Sequence, residues 1–145
     1  MKATELRIGN YVKVSTPVIT CDNFRVDEIH RVDGDYDIRS YPMGNNDFYF
    51  VGLLRYAEPI PITPELLERC GFKRDADSEC IGYENIVFIW RSNEMELAEK
   101  NGRFYIYEPC EDPWYSSCGT EIVSVHQLQN VCYVLSGEEL TVKWN

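Results

Sequence analysis

The segment EPIPITPELLERCGF, residues 58–72, constrains the fold more than any other stretch because it predicts both ends of a helix. Thr63 is a predicted N-cap, since its hydroxyl can accept a hydrogen bond from an otherwise unpaired amide. Pro64 suits the first helical position, where a proline has no hydrogen bond to lose. Gly71 can adopt the left-handed conformation that ends many helices. The spacing therefore predicts a short helix from Pro64 to Cys70.

The same segment suggests where the chain divides into lobes. Pro59 and Pro61 stiffen an extended connector, because each proline fixes its own φ and disfavours helix in the residue before it. We therefore place the boundary between a β-rich lobe, residues 1–58, and an α+β lobe, residues 59–145. The two lobes are also compatible with one compact domain.

The first lobe contains four or five short runs of alternating apolar residues separated by close turns. This pattern predicts a bent antiparallel sheet or a small β-barrel-like structure, such as an SH3-like barrel. In the second lobe the run NIVFIW, residues 85–90, is typical of a buried strand. Asn101-Gly102 separates two further alternating stretches and favours a type I′ hairpin, because both turn positions need positive φ.

A second helix is predicted in the segment SVHQLQNVCYVLSG. Its apolar residues recur at helical spacing, and Gly137 is placed to end the helix. Ser124 and Gln127 are spaced as a capping box. After the helix, alternating apolar residues from Leu140 to Trp144 predict a final strand. The predicted apolar stripe consists of Val125, Leu128, Val131, Cys132 and Leu135. Four residues lie off its centre: His126, Gln129, Asn130 and Tyr133.

The charge of the chain is acidic and unevenly distributed. The formal net charge is -10, of which residues 1–60 carry -2 and residues 61–145 carry -8. Clustered Lys and Arg drive phosphate binding, so the second half is a poor nucleic-acid or anionic-membrane surface. The electrostatic field of this negative charge instead favours a basic partner.

The location of the protein sets how its cysteines are interpreted. The N-terminal sequence has no apolar run typical of a signal peptide, and no stretch of eighteen apolar residues occurs. The default expectation is a cytoplasmic protein without a membrane segment. In a reducing compartment the six cysteines are expected to be thiols rather than disulfides.

Three blocks, ELRIGNYV, EPIPITPELLERCGF and VHQLQNVCYVLSGEEL, occur in this order across most of the chain. Together they resemble a family of small proteins encoded by phages and other mobile elements of gut anaerobic bacteria. The resemblance implies an accessory protein in mobile-element biology. It implies no activity, cofactor or catalytic residue, so no site is carried over from it.

The sequence offers little support for metal binding or catalysis. Structural zinc sites place ligands in close pairs, whereas Cys110 and Cys118 are separated by seven residues and no CxxC motif occurs. A composite site from Cys110, Cys118 and His126 is the one arrangement left open, and we expect no metal or other cofactor. His126 and Cys132 are six apart on one predicted helix and face opposite ways, so they are not a catalytic pair. No catalytic motif is present, and we expect a protein that is not an enzyme.

Recognition is the function that the sequence favours. Two predicted loops combine aromatic and polar residues, which often form binding hot spots. Their candidate partner-binding residues are Tyr41, Met43, Trp114 and Tyr115. The leading interpretation is an intracellular protein that binds a basic protein. A second is nucleic-acid binding by the first lobe, and a further alternative is an acidic mimic of nucleic acid. The residues considered for nucleic-acid binding are Arg7, Lys13, Arg25 and Arg39 with Tyr11 and Tyr36.

Overall fold

The computed structural model describes residues 1–18, 20–41, 50–75, 86–108 and 117–144. Within them the protein has a mixed α+β fold with antiparallel sheets, as predicted. The chain divides into two units, Met1–Pro61 with Ser124–Asn130, and Ile62–Val123 with Val131–Asn145. Among the described residues, no helix has the length and apolar character needed to cross a bilayer.

The first unit contains two three-stranded antiparallel sheets. Its strands are β1 (Tyr11–Ser15), β2 (Thr20–Arg25), β3 (Glu28–Val32), β4 (Asp35–Ser40), β5 (Phe50–Leu53) and β6 (Ala57–Glu58), and 3-10 turns occupy Ala3–Glu5 and Leu54–Tyr56. One sheet has the order β2-β1-β6 and the other the order β3-β4-β5. Their apolar side chains share one core made of Val12, Val14, Phe24, Val26, Ile38, Leu54 and Ala57.

The predicted SH3-like barrel is not confirmed. The backbone pairing divides the six strands into two separate three-stranded sheets, and the strands that the structure describes do not close into a barrel. The loop predicted at residues 41–47 lies outside the described residues except for Tyr41. The coarser prediction of a β-rich antiparallel N-terminal region is confirmed.

The second unit is built on one five-stranded antiparallel sheet with the order β11-β10-β9-β8-β7. These strands are β7 (Lys73–Asp75), β8 (Ile86–Arg91), β9 (Glu96–Lys100), β10 (Arg103–Glu108) and β11 (Ser117–Ile122). Trp90 is paired with Leu97 and Ile89 with Ala98, and all four side chains are fully buried. Successive residues of a strand point to opposite faces, so both faces of the sheet are covered at these positions. Burial on both faces accounts for the apolar residues at the end of β8, whereas Val87 near its start is 46% exposed.

Two hairpins turn on residue pairs with positive φ. Asn101 and Gly102 have φ of 53° and 72° and join β9 to β10, which confirms the predicted type I′ hairpin. Asp33 and Gly34 have φ of 46° and 88° and join β3 to β4 in the same manner. In both turns a glycine occupies the second position, where a side chain would be strained.

The first helix, α1, spans Pro64–Arg69 and confirms the prediction from the proline-rich segment. Thr63 is the N-cap, and its hydroxyl accepts from the Leu66 N–H at 3.2 Å. Cys70 follows as the C-cap, and Gly71 has φ of 88°. Local capping chemistry therefore accounts for both ends of this helix.

The second helix, α2, spans Val125–Ser136 and ends before Gly137, which has φ of 74°. Residues 125–130 belong to the first unit and residues 131–136 to the second. The predicted apolar stripe is buried at Val125, Leu128 and Cys132, but Leu135 is 58% exposed. The stripe is thus part of the core only as far as Cys132.

The predicted final strand is wrong, because residues 140–144 form no regular secondary structure. Val142 is buried, while its neighbours Thr141 and Lys143 are exposed, so the alternation in the sequence does correspond to alternating burial. The Lys143 N–H donates to the Arg69 carbonyl at 3.1 Å, outside any sheet ladder. A segment without regular secondary structure that buries one side chain between exposed neighbours therefore produces the sequence pattern of a strand without strand pairing.

Candidate functional site

The polar residues of the first half of α2 are structural. His126 and Gln129, predicted to lie off the buried stripe, are 4% and 1% exposed. The Gln129 Oε1 accepts from the Tyr11 N–H at 2.8 Å, and its Nε2 donates to the Gly9 carbonyl at 3.0 Å. This single side chain therefore satisfies two backbone groups at the start of β1.

Asn130 extends the same network. Its Oδ1 accepts from the Asn10 Nδ2 at 2.9 Å, and its Nδ2 donates to the Glu5 carbonyl at 3.0 Å. Asn10 is fully buried, and its own Oδ1 accepts from the Arg7 N–H at 2.8 Å. The amides of α2 thus hold the turn before β1, and they are not arranged for chemistry. The interrupted alternation at Gly9-Asn10 is the only sequence signal of this turn.

Ser124 and His126 form the arrangement that most resembles a catalytic pair. The Ser124 Oγ lies 3.0 Å from the His126 Nδ1. Burial lowers the pKa of His126, which favours the neutral imidazole. Ser124 is fully buried, however, so its hydroxyl has no surface from which to meet a substrate. The predicted capping box with Gln127 stays a prediction.

The composite metal site from the sequence is not assembled among the residues that the structure describes. Cys110 lies outside them, Cys118 is half-buried on β11, and His126 is engaged with Ser124. Within the described ranges, no group of three or more His, Cys, Asp and Glu side chains is arranged to hold a metal ion.

Of the four candidate partner-binding residues, Met43, Trp114 and Tyr115 lie outside the described residues. Tyr41 is described, and its hydroxyl donates to the Glu28 Oε1 at 2.6 Å. This bond, together with His30 at 2.6 Å from the other carboxylate oxygen, lowers the pKa of Glu28. The same bond raises the pKa of Tyr41. Tyr41 is therefore anchored to β3 by its polar end.

The basic residues considered for nucleic-acid binding have partners within the first unit. Lys13 lies 3.5 Å from Asp22, Arg25 lies 3.4 Å from Asp27, and Arg39 lies 3.6 Å from Glu28. Arg7 donates to the Asn130 side chain and the Gln129 carbonyl, at 3.3 Å and 3.4 Å respectively. Each cation is thus accompanied by a carboxylate or an amide, which gives a mixed surface rather than a basic stripe.

The second half of α2 presents apolar side chains to solvent. Tyr133, Val134 and Leu135 are 42%, 81% and 58% exposed, and we call these three residues the α2 patch. No charged residue occurs anywhere in α2, although exposed helical positions are usually polar. Immediately after the helix, Glu138 and Glu139 are exposed. The sequence interpretation placed Leu135 on the buried stripe and Tyr133 off its centre, and it did not single out the patch.

Near the α2 patch, the second unit contains an open cleft of about 290 Å³. Its wall includes Arg69 and Cys70 from the end of α1, Cys132 from α2, and Glu138 and Lys143 from the C-terminal segment. The wall thus combines charged groups of both signs with two buried thiols.

Comparison with known proteins identifies no relative: no family model, curated protein or solved structure matches this chain.

Proposed function

We propose that this chain is a non-enzymatic accessory protein that binds a basic protein partner, and that the α2 patch with Glu138 and Glu139 is its binding surface. The proposal is supported chiefly by the exposure of adjacent apolar side chains on a helix without charged residues. Contiguous exposed apolar residues with a polar rim are typical of protein interaction sites.

The geometry of the helix groups Val134 and Leu135 on one face, while Tyr133, two residues after Val131, lies round the helix from that face. Val134 and Leu135 follow Val131 by three and four residues, and such positions share one helix face. Val131 is half-buried, so the face passes from the unit's interior to solvent within one turn. A partner that covers Val134 and Leu135 would extend this apolar surface, and the energy gained would scale with the area removed from water.

The charge around the patch supports a basic partner. Glu138 and Glu139 follow the helix directly, and residues 61–145 carry a net charge of -8. Opposite charge on a partner would accelerate association and select against acidic competitors. The phage or mobile-element setting suggested by the sequence resemblance, and an intracellular location, belong to the same proposal.

The test is affinity capture from the native host with matched variants. The patch variant carries Val134→Gln and Leu135→Gln, and the control carries Val18→Gln and Val51→Gln, two exposed valines of the first unit. We expect the wild type and the control to capture the same basic protein and the patch variant to lose it. Glu138→Gln with Glu139→Gln should weaken capture, as should a rise from 50 to about 300 mM salt, which shortens the Debye length.

Equal capture by the patch variant would contradict the proposal, provided that circular dichroism shows the variant to be folded. An acidic mimic of nucleic acid is distinguished in the same experiment. Its partner would be a nucleic-acid-binding protein that added DNA or RNA releases from the wild-type chain.

A further inference from the structure

The open cleft of the second unit is lined by charged residues of both signs. Its wall includes two cations, Arg69 and Lys143, and three carboxylates, Glu94, Glu138 and Glu139. Every residue of this wall belongs to the second unit. Over the residues that the structure describes, the side chains of Arg69, Lys143, Glu94 and Glu138 form no ion pair or hydrogen bond. The cleft therefore contains opposite charges that do not neutralise one another by direct contact.

Two short contacts bring together the segments that carry these charges. The Lys143 N–H donates to the Arg69 carbonyl at 3.1 Å, so the C-terminal segment lies against the end of α1. The Met95 Sδ lies 3.3 Å from the Cys132 Sγ, so the turn between β8 and β9 lies against α2. Glu94 belongs to that turn. The two cations are therefore on neighbouring segments, and the nearest carboxylates are on the turn and just after α2.

Charged groups of the sheet in the second unit are paired, unlike those of the cleft. Arg91 forms ion pairs with Asp75 and Glu96, and Arg103 lies 3.6 Å from Glu121. An arginine has five N–H donors, a lysine has three, and a carboxylate accepts hydrogen bonds at both oxygens. The charged side chains of the cleft are thus available to a ligand that supplies the opposite charges.

The same cleft also has uncharged, largely apolar residues in its wall. Cys70 and Cys132 are buried, and Leu140 is half-buried. A buried free cysteine behaves as a small hydrophobic residue. The cleft has a volume of about 290 Å³, close to the lower end of the range of about 300–1,000 Å³ that is usual for small-ligand pockets. It can therefore accept a small molecule with one apolar group.

We propose that this cleft binds a small zwitterionic ligand, namely a neutral α-amino acid or a short peptide with an apolar side chain. The ligand carboxylate accepts hydrogen bonds from Arg69 and Lys143, and a guanidinium can hold a carboxylate through two parallel bonds. The ligand ammonium donates to Glu94 and Glu138. A ligand with only one of these charges would leave the cations or the carboxylates of the cleft without a partner. Binding is reversible and breaks no covalent bond.

The experiment follows the full chain, labelled with nitrogen-15, by NMR while L-leucine is added at neutral pH. The backbone amide signals of Gly71, Asn93 and Lys143, which line the cleft, should shift in a saturable manner. Millimolar affinity is expected, because ion pairs at a solvent-exposed rim contribute little each. L-leucinamide lacks the carboxylate and N-acetyl-L-leucine lacks the ammonium, so each should bind about tenfold more weakly than L-leucine.

Matched variants assign each charge of the ligand to its side of the cleft. Arg69→Gln should remove the preference for L-leucine over L-leucinamide, and Glu94→Gln should remove the preference for L-leucine over N-acetyl-L-leucine. Lys143→Gln, at an exposed position, should reduce the same preference as Arg69→Gln and replaces it if that variant does not fold. The controls Arg103→Gln and Glu108→Gln are exposed and lie outside the cleft, so they should bind like the wild type.

The source of the ligand is distinguished by L-alanyl-L-leucine, because tighter binding of this dipeptide identifies a peptide and tighter binding of L-leucine identifies a free amino acid. The proposal would be overturned by the absence of saturable shifts at the cleft with both probes. Equal binding of L-leucine, L-leucinamide and N-acetyl-L-leucine would overturn it too, as would unchanged preferences in the folded variants. The proposal goes beyond the proposed partner binding, and no partner is present in this experiment, so either can fail without the other.

Discussion

Replacement of Gln129 tests the most consequential interaction that the structure reveals. Gln129→Ala removes the partners of the Tyr11 N–H and the Gly9 carbonyl, which the wild-type side chain bonds at 2.8 and 3.0 Å. Loss of the partner of a buried polar group costs about 1–3 kcal/mol. Two such losses should lower the free energy of unfolding by about 3 kcal/mol. For a chain of this size the midpoint of thermal unfolding should fall by about 10 °C.

Two further variants separate hydrogen bonding from packing. Gln129→Met preserves most of the side-chain volume without either hydrogen bond, so it should be nearly as destabilising as Gln129→Ala. Gln127→Ala makes the same truncation two residues earlier in α2, where the side chain is half-buried. It should cost no more than about 1 kcal/mol, the usual value of a capping interaction.

The measurement is urea unfolding followed by circular dichroism and tryptophan fluorescence, with linear extrapolation to water. The reasoning would be refuted if Gln129→Ala lost less than Gln127→Ala. It would also be refuted if Gln129→Met were as stable as wild type, because the two hydrogen bonds would then contribute nothing measurable.

Two other predictions concern pH and backbone conformation. Because burial lowers the pKa of His126 below its unfolded value, the folded state resists protonation, and stability should decrease as pH falls below about 6.5 and level off below the folded pKa. Urea midpoints measured from pH 8 to pH 4 should show this decrease in the wild type. The variant His126→Asn should lack the part of the decrease that is due to His126, and identical pH profiles of the two proteins would contradict the assignment. A Cβ added at Gly102 would have no atom within 4 Å, but the positive φ of Gly102 is unfavourable for alanine, so Gly102→Ala should destabilise the protein by about 1 kcal/mol. A Cβ added at Gly119 would make only ordinary van der Waals contacts with Ile106, at 3.6 and 3.8 Å, so Gly119→Ala should be neutral or stabilising. Thermal melts of the two alanine variants provide the comparison, and an equal effect at both sites would argue against the turn conformation.

The features that were predictable from sequence are those that nearby residues determine. The cap at Thr63, the proline that follows it and the glycine at position 71 act within one or two helical turns. The Asn101-Gly102 hairpin is equally local, since the turn pair alone selects the conformation. Such signals were correct because the competing conformations are excluded by backbone sterics and not by distant packing.

The features that were missed depend on distant residues. Gln129 is bonded to residues near position 10, about 120 positions away, so its polarity alone suggested an exposed site. Conversely, Leu135 continues a helical stripe but lies beyond the buried part of it. The alternation around Val142 reports burial and not strand pairing. In each case the sequence pattern indicates whether a side chain is polar or apolar, but its burial and bonding depend on neighbours that are distant in the sequence.

The contrast between the two halves of α2 strengthens the case for a binding surface. In the first half the absence of charge is explained by folding, because a charged group in place of buried Gln129 would lack the matching hydrogen bonds. In the second half of α2, folding does not explain the absence of charged residues. Val134 is 81% exposed, and a β-branched residue at an exposed helical position is about 0.5 kcal/mol less favourable than alanine. The residue therefore costs helix stability without contributing to the core, as expected for a side chain whose apolar contacts are completed by a partner.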